Sequence, residues 1–245
     1  MNNNKLYPPS YKDSKKAHIP NKEIYNKKYD QSIKDPDFFW GEIAERLHWD
    51  KKWDIISDTD FSKAKINWFK GGKLNASYNC IDRHVEAGYG NKTAIIWEGN
   101  NPKKDKSYTY SELLIEVCKF SNVLKSHRVK KGDRVCIYMQ MIPELAIAML
   151  ACARIGAIHS IVFGAFSPDS LRDRINDSSC KILITQDTGV RGKKHDIPMK
   201  ANADIAMKET PSIETVFVVK RTNKTINMQA NRDIWWNKSM ENSND

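Results

Sequence analysis

The sequence predicts an α/β fold in which an N-terminal segment of helix and aromatic residues precedes the first part of a doubly wound, mainly parallel sheet. Strand and helix patterns alternate over residues 134–219, as is typical of strands joined by crossover helices. Between two β-branched runs stands Ser167-Pro168-Asp169, a strong helix start because serine caps, proline fits the first helical position and an acid favours the helix N-terminus. Strands joined in this way are expected to run parallel.

The first part of the chain is divided by a change in composition. Residues 1–34 are polar and rich in lysine and asparagine, and we expect a flexible arm there. Asp35-Pro36 then opens an amphipathic helix, and a second helix is predicted over residues 78–87 after a glycine turn. The aromatic residues of this part are interpreted as packing anchors rather than as a ligand site: Trp40, Trp49 and Trp53.

The middle of the chain gives the clearest element signals. Residues 93–97 and 107–110 predict a β-hairpin, and Ser111 is the expected cap of the helix that follows it. After a strand over 134–139, the run PELAIAMLACARIG predicts a helix that is buried on nearly all sides and ends at Gly156. Further strands are predicted over 159–163, 181–185 and 215–219, with a helix over 198–207 before the last.

The last residues of the chain show no pattern that predicts a strand or a helix completing the sheet. After Asp233-Ile234-Trp235-Trp236 only NKSMENSND follows, and we expect neither strand nor helix there. A sheet of this class would then be incomplete, with an unpaired edge and an uncovered face.

Composition excludes several classes of protein. The net charge is +10, but the 30 lysines far outnumber the 10 arginines and are scattered in pairs, which does not favour nucleic-acid binding. The most apolar stretch, residues 142–166, contains charged residues and proline and is no membrane span. Five widely spaced cysteines without a CxxC motif indicate buried thiols in a reducing compartment, so we expect a cytoplasmic protein. From the scattered lysines and the interrupted apolar stretch we expect it to bind neither nucleic acid nor membrane.

The pattern over residues 161–194 predicts an anion site. Gly164 follows one predicted strand, and the turn Arg191-Gly192-Lys193-Lys194 follows the next. Because ligands bind at the carboxyl ends of parallel strands, both turns are expected at one crevice. Arg191 would bind two oxygens of a phosphate, Gly192 would let the backbone approach, and Lys193 and Lys194 would add charge. The alternative is an ordinary solvated turn.

The sequence contains no recognisable catalytic motif. The sequence lacks GxxxxGK[ST], HExxH and GxSxG, and its six histidines have no metal-ligand spacing. We therefore predict no catalytic residue and no metal ligand.

Over about residues 35–236 the sequence resembles the acetyl-CoA synthetase family, the AMP-forming acetate–CoA ligases. The resemblance is carried by FWGEIAERLHW, WFKGGKLNASYNCIDRHVE, GDRVCIYMQMIPELAIAMLACARIGAIHSIVFGAFSPDSLRDRI and DIWW. It implies a cap segment over 35–90, the first part of an adenylation domain over 91–236, and a truncated tail over 237–245. Propionyl-CoA synthetases are similar, and the acyl group stays open between acetate and propionate.

The resemblance implies a reaction in which an acid and ATP form an acyl-adenylate, and the thiol of coenzyme A then displaces AMP. It assigns coenzyme A binding to two groups of residues: Phe163, Gly164 and Ala165, and Arg191, Gly192, Lys193 and Lys194. Lys194 stands where the family often has a second arginine, and Ala165 where it has a glycine.

The family's phosphate loop, acyl pocket and catalytic lysine have no counterpart in these 245 residues. The resemblance therefore implies an N-terminal fragment that is inactive alone, with ATP and Mg expected only for the full-length enzyme. Two alternatives stay open: half of a split ligase completed by a complementary chain, and a non-catalytic module that binds coenzyme A.

Overall fold

The computed structural model describes residues 15–244, and the chain divides into two compact units, Met1–Leu74 and Asn75–Asp245. The first fourteen residues of the predicted arm and the last residue of the predicted tail lie outside the described part. The predicted segment boundary at residue 90 falls inside the second unit.

From residue 15 onward, the first unit contains two α-helices and a hairpin. Helix α1 (Lys22–Lys34) is capped by the side chain of Asn21, and α2 (Pro36–Ala44) by that of Asp35. Strands β1 (Ile55–Asp60) and β2 (Lys65–Lys70) pair antiparallel. The helix predicted from Asp35-Pro36 is confirmed. Helix α1 lies within the stretch expected to be a flexible arm; it buries no residue and so leaves no apolar period in the sequence.

The aromatic residues of the first unit pack against one another. The rings of Trp49, Trp53 and Phe69 lie 5.0–5.5 Å apart, and the indole N–H of Trp49 donates to the carbonyl of Ala44 at 2.9 Å. Their interpretation as packing anchors is confirmed.

The second unit begins with short helical turns and a hairpin. Two π-helical segments, Tyr78–Asp82 and Val85–Tyr89, occupy the stretch predicted as one helix. The predicted hairpin is confirmed as β3 (Thr93–Trp97) and β4 (Lys106–Thr109). Helix α3 (Tyr110–Ser126) follows at once.

The predicted cap of α3 was wrong by two residues. Thr109 rather than Ser111 is the N-cap: its hydroxyl accepts the N–H of Glu112 at 3.2 Å, and the carboxylate of Glu112 accepts the N–H of Thr109 at 2.8 Å. This reciprocal capping box satisfies two backbone donors, which a lone Ser111 cap would not.

A five-stranded parallel sheet forms the centre of the second unit. In chain order the remaining strands are β5 (Arg134–Met139), β6 (Ile158–Phe163), β7 (Ile182–Gln186), β8 (Gly189–Arg191), β9 (Lys194–Ile197), β10 (Thr215–Val219) and β11 (Asp233–Trp235). The sheet order is β11-β10-β7-β5-β6, while β8 and β9 form a separate antiparallel hairpin. Strands β6 and β7 are parallel as predicted, with β5 between them.

Helices cover both faces of this sheet, which confirms the doubly wound architecture. Helix α3, α4 (Pro143–Ile155) and α7 (Trp236–Glu241) pack on one core cluster, which contains Ile137 and Ile184. Helices α5 (Pro168–Ser178) and α6 (Met199–Ala206) pack on the other, which contains Tyr138 and Leu183. Alternate strand residues thus face opposite cores, and the near-continuous apolar runs of the sequence are explained.

The prediction of an unstructured end was wrong. Strand β11 pairs with β10, and α7 buries Trp236, whose ring stacks on Phe120 at a centroid distance of 3.8 Å. Asp233, fully buried, binds Lys200 at 2.7 Å and Arg232 at 2.6 Å, and so ties β11 to α6. A three-residue strand and a six-residue helix are too short to show a period in the sequence.

The five cysteines are free. Cys136, Cys152 and Cys180 are buried, Cys118 is half-buried and Cys80 is exposed. Burial raises the pKa of the Cys152 thiol to about 12. The prediction of buried thiols is therefore confirmed for three of the five.

Candidate functional site

A cavity of about 380 Å³ lies at the carboxyl edge of the parallel sheet. Its walls come from the segments that follow β5, β6 and β10, together with the end of β3 and the hairpin β8–β9. At this edge of an open sheet the connections diverge and leave a crevice, which is where ligands of such folds bind. The lining includes Trp97, Phe163, Gly164, Ala165, Arg191 and Arg221.

The turn after β6 forms one wall of the cavity. The N–H of Phe166 donates to the carbonyl of Phe163 at 2.9 Å, and the hydroxyl of Tyr138 donates to the carbonyl of Phe166 at 2.9 Å. Burial raises the pKa of Tyr138, so this hydroxyl keeps its proton at neutral pH. The side chain of Phe163 is 64% exposed, an apolar surface beside the cavity.

Glycine is favoured at position 164 by packing. A Cβ there would lie 3.0 Å from the carbonyl oxygen of Met139 and 3.2 Å from the side chain of Met199. Close approach of β5 and β6 at their ends therefore disfavours a side chain, whether or not a ligand binds beside it.

The cationic turn lies on the hairpin of β8 and β9. Arg191 is paired with Lys194, so Gly192 and Lys193 form the two-residue turn between them, and Gly192 has a φ of +56°. The amide of Asn100 donates to the carbonyl of Gly192 at 3.3 Å. All four residues of the turn are exposed, and within residues 15–244 no carboxylate is seen in an ion pair with their cations.

Two glutamines hold the hairpin to the sheet. Gln186, at the end of β7, accepts the backbone N–H of Gln140 at 2.9 Å, and Gln140 accepts the N–H of Val190 at 2.8 Å. The amide of Gln140 also donates to the carbonyl of Val190 at 3.2 Å. Because Val190 precedes Arg191, these hydrogen bonds fix where the arginine enters the cavity wall.

Arg221 is held at the cavity by a buried carboxylate. Asp187, fully buried, accepts the backbone N–H of Arg221 at 3.0 Å and that of Thr222 at 3.1 Å. The guanidinium of Arg221 lies 4.6 Å from the ring centre of Trp97, whose indole N–H donates to the carbonyl of Met141 at 2.8 Å. A flat cation stacked on an aromatic face is thus part of the lining.

The structure brings together four of the seven residues that the sequence proposes for the site. Phe163, Gly164, Ala165 and Arg191 line the same cavity, whereas the rest of the cationic turn, Gly192, Lys193 and Lys194, lies on the adjoining hairpin and not in the lining. Of the two turns predicted at one crevice, the Phe163–Ala165 turn lines it completely and the cationic turn only through Arg191.

Sequence reasoning missed the residues that position this cavity: Trp97, Gln140, Gln186, Asp187 and Arg221. A signal was present for three of them, since Gln140, Gln186 and Asp187 are polar residues directly at the end of buried strands. Trp97 and Arg221 are in contact although 124 positions separate them in the sequence, and no local sequence pattern predicts such a contact.

Residues 15–244 contain no group of three histidine, cysteine, aspartate or glutamate side chains placed to hold a metal ion. In the same part of the chain no helix is both long and apolar enough to cross a membrane.

Comparison with known protein families gives two matches that together span most of the chain. Residues 82–244 match the family described as AMP-binding enzyme. Residues 25–80 match the family described as acetyl-coenzyme A synthetase N-terminus.

Curated relatives are similar along almost the entire chain. The acetyl-coenzyme A synthetase of Magnetococcus marinus is 53% identical over 241 residues, which cover 98% of this chain and 37% of the relative. That of Saccharophagus degradans is 54% identical over 237 residues, which cover 96% of this chain and 36% of the relative. The chain thus spans little more than a third of the length of these relatives.

A solved structure has the same fold. Acetoacetyl-CoA synthetase from Streptomyces lividans superposes with a TM-score of 0.76 at 20% identity, covering 88% of this chain and 32% of that one. At this identity the likeness concerns the fold alone.

Proposed function

Because the chain belongs to the AMP-binding enzyme family and matches the N-terminal third of acetyl-coenzyme A synthetases, we propose that it supplies part of the coenzyme A site of an AMP-forming acetate–CoA ligase. The observation that carries the proposal is the shared cavity, in which the Phe163–Ala165 turn and Arg191 lie together.

The chemistry of the two walls suits the two ends of coenzyme A. Arg191 offers a bidentate donor to a phosphate, and the unpaired Lys193 and Lys194 beside it add positive potential. The part of the lining that contains Phe163 and Ala165 is apolar and suits the uncharged pantetheine arm. A phosphate-bearing ligand with a long neutral arm matches this arrangement better than a small anion does.

Calorimetric titration of the purified 245-residue chain with coenzyme A tests the proposal. We expect saturable binding that weakens about tenfold in Arg191→Ala, the loss of one charged bidentate contact. Lys125→Ala, on the exposed side of α3, removes the same charge without touching the cavity and is expected to bind like the wild type. Absence of binding, or equal affinities in all three proteins, contradicts the proposal.

We propose further that this chain does not activate acetate by itself. It spans 37% of the length of the relatives it matches, and the resemblance assigns the phosphate loop, the acyl pocket and the catalytic lysine to later parts of the family's sequence. ATP and Mg are accordingly expected to act only in a longer enzyme. Acetate-dependent release of pyrophosphate by the purified chain would disprove this statement.

A complementary chain is a second proposal, supported by the open edge of the sheet. Strand β6 pairs only with β5 in the described sheet, and Ile158, Ile161 and Phe163 along it are between 45% and 64% exposed. A partner that supplies the rest of the ligase would cover this edge. Co-expression with the remaining part of a related synthetase should then give a co-purifying pair with ligase activity, and recovery of two separate inactive chains would oppose it.

The identity of the acyl group and the cellular location of the reaction are also proposed. Acetate is favoured by the relatives' names, with propionate as the alternative, and assay of the completed enzyme with both acids decides between them. The free cysteines support a cytoplasmic location, and the scattered lysines argue against nucleic acid as a partner. If the completed enzyme is inactive with both acids while the chain still binds coenzyme A, a non-catalytic binding module is the better description.

A further inference from the structure

We propose that Arg221 is a second phosphate-binding arginine of the cavity and acts beside Arg191 on the nucleotide end of coenzyme A. The inference rests on the proposed function, since it adds a residue to the same site. Arg221 lies two positions beyond the end of β10, outside both turns that the sequence singles out.

The surroundings of Arg221 carry an excess of positive charge. It lines the candidate site's cavity with Arg191, and it also lines two adjoining depressions that contain Lys104, His195 and Lys224. Of the acids nearby, Glu144 is paired with Lys106 at 3.4 Å, and Asp105 accepts the N–H of Gly99 at 2.8 Å. Glu98 is the carboxylate in the lining of the candidate site's cavity. Cations outnumber acids here, which favours an anionic ligand.

The guanidinium of Arg221 lacks the partners that a structural arginine has. In the described part of the chain no carboxylate forms an ion pair with it, and its Nε is buried without a hydrogen-bond acceptor. By contrast, the arginines that tie elements together are paired: Arg154 with Asp82 at 2.8 Å, and Arg232 with Asp233 at 2.6 Å. The described residues supply no acceptor for this buried charged donor at the wall of a cavity, so an oxygen of a bound ligand is a fitting partner for it.

Arg221 is also oriented in advance. Its backbone is fixed by Asp187, and its guanidinium lies against the ring of Trp97. Stacking leaves the edge donors of a guanidinium available to bind phosphate oxygens in a bidentate manner. Lys194, by comparison, is an exposed point charge on the hairpin turn. Arg221 would thus supply the oriented bidentate contact to phosphate that the ammonium of Lys194 cannot.

The competing explanation is that Arg221 only packs on Trp97. A packing residue would affect all ligands of the cavity alike, whereas a phosphate-binding residue affects only those that carry the phosphate. Titrations of the full chain with coenzyme A, dephospho-coenzyme A and pantetheine separate the two. The variants are Arg221→Gln, Arg221→Lys, Arg191→Ala and, as a charge-matched control, Lys125→Gln.

We expect Arg221→Gln to bind coenzyme A about tenfold more weakly and pantetheine unchanged. Arg221→Lys should bind coenzyme A with intermediate affinity, because lysine keeps the positive charge but cannot donate two parallel hydrogen bonds to a phosphate. A loss seen with coenzyme A but not with dephospho-coenzyme A assigns Arg221 to the 3′-phosphate. An equal loss with both assigns it to the diphosphate.

Three results would overturn the inference. If Arg191→Ala weakens coenzyme A binding and Arg221→Gln does not, the proposed function stands and Arg221 is a packing residue. If Arg221→Gln weakens pantetheine equally, its role is structural. If the wild-type chain binds no coenzyme A, both proposals fail together.

A measurement on the wild-type protein keeps the test independent of whether Arg221→Gln folds. The Nε–H resonance of Arg221, identified by its loss in Arg221→Lys, should shift on adding coenzyme A and stay in place on adding pantetheine. An unmoved resonance under saturating coenzyme A contradicts the inference.

Discussion

The buried carboxylate of Asp187 accepts the backbone N–H of Arg221 at 3.0 Å, and this hydrogen bond joins the ends of the neighbouring strands β7 and β10. The same carboxylate accepts the N–H groups of Thr188 and Thr222, at 2.6 and 3.1 Å. One side chain therefore satisfies three backbone donors at the edge of the cavity.

Asp187→Ala is expected to lower the free energy of unfolding by about 3 kcal/mol, because buried N–H groups lose the charged acceptor to which they are bound. Coenzyme A binding should weaken as well, since the loop that carries Arg221 is released. Urea unfolding followed by circular dichroism measures the first effect. Asp177→Ala, an exposed carboxylate on α5, is the control, with an expected change within about 0.5 kcal/mol. Equal stability of the two variants would contradict the role of Asp187.

Gly192→Ala should destabilise the hairpin by about 1 kcal/mol, because a φ of +56° costs an L-residue with a Cβ while glycine adopts it freely. No atom lies within 4 Å of where the Cβ would be, so the cost is conformational and not steric. Gly192→Asn, which tolerates positive φ better, is therefore expected to lose less. Hydrogen exchange of the β8–β9 amides reports the difference, and indistinguishable exchange in the two variants would argue against it.

Trp236→Ala should cost about 3–5 kcal/mol, the usual loss for removing a buried large aromatic side chain. Trp236 is 6% exposed and stacks on Phe120, so its removal leaves a void between α7, α3 and the sheet. Thermal and urea unfolding measure the loss. Ile96→Ala removes a side chain that is 76% exposed and should change stability far less. A similar small effect in both variants would mean that the end of the chain does not contribute to the core.

Asp233 makes stability depend on acid pH. Burial alone would raise the pKa of Asp233, but hydrogen bonds from Arg232 and Lys200 outweigh it and hold the pKa below the usual 3.8. The folded state therefore binds the proton less readily than the unfolded chain does. Its stabilisation is fully present above about pH 5 and is lost as the pH falls below 3.8 toward the pKa of the folded state.

Asp233→Asn is expected to lower stability at pH 7 by about 3 kcal/mol, because it leaves the buried ammonium of Lys200 with one carboxylate fewer. It should also flatten the decline in stability between pH 5 and pH 3, which urea midpoints across that range measure. Asp177→Asn should keep the wild-type slope. An unchanged slope in Asp233→Asn would exclude Asp233 as the source of the acid dependence.

Local signals accounted for most of the sheet. The runs at 134–139 and 215–219 gave β5 and β10 within the bounds of the structure, because strands buried on both faces are almost wholly apolar. Ser167-Pro168 placed the start of α5 for a similarly local reason, since the cap and the first turn are contiguous in sequence. The end of the chain failed because β11 and α7 depend on long-range contacts with β10 and Phe120.

The sequence by itself determined the α/β class, the parallel direction of β6 and β7 and the family to which the chain belongs, because apolar periods, helix caps and contiguous motifs are local properties of a sequence. Only the tertiary structure decided that Arg221 joins Arg191 at one cavity, and that Asp187, Gln140 and Trp97 hold them there. The physical reason is that a binding site is an arrangement of side chains from separate strand ends, and its distances exist only once the sheet has brought those ends together.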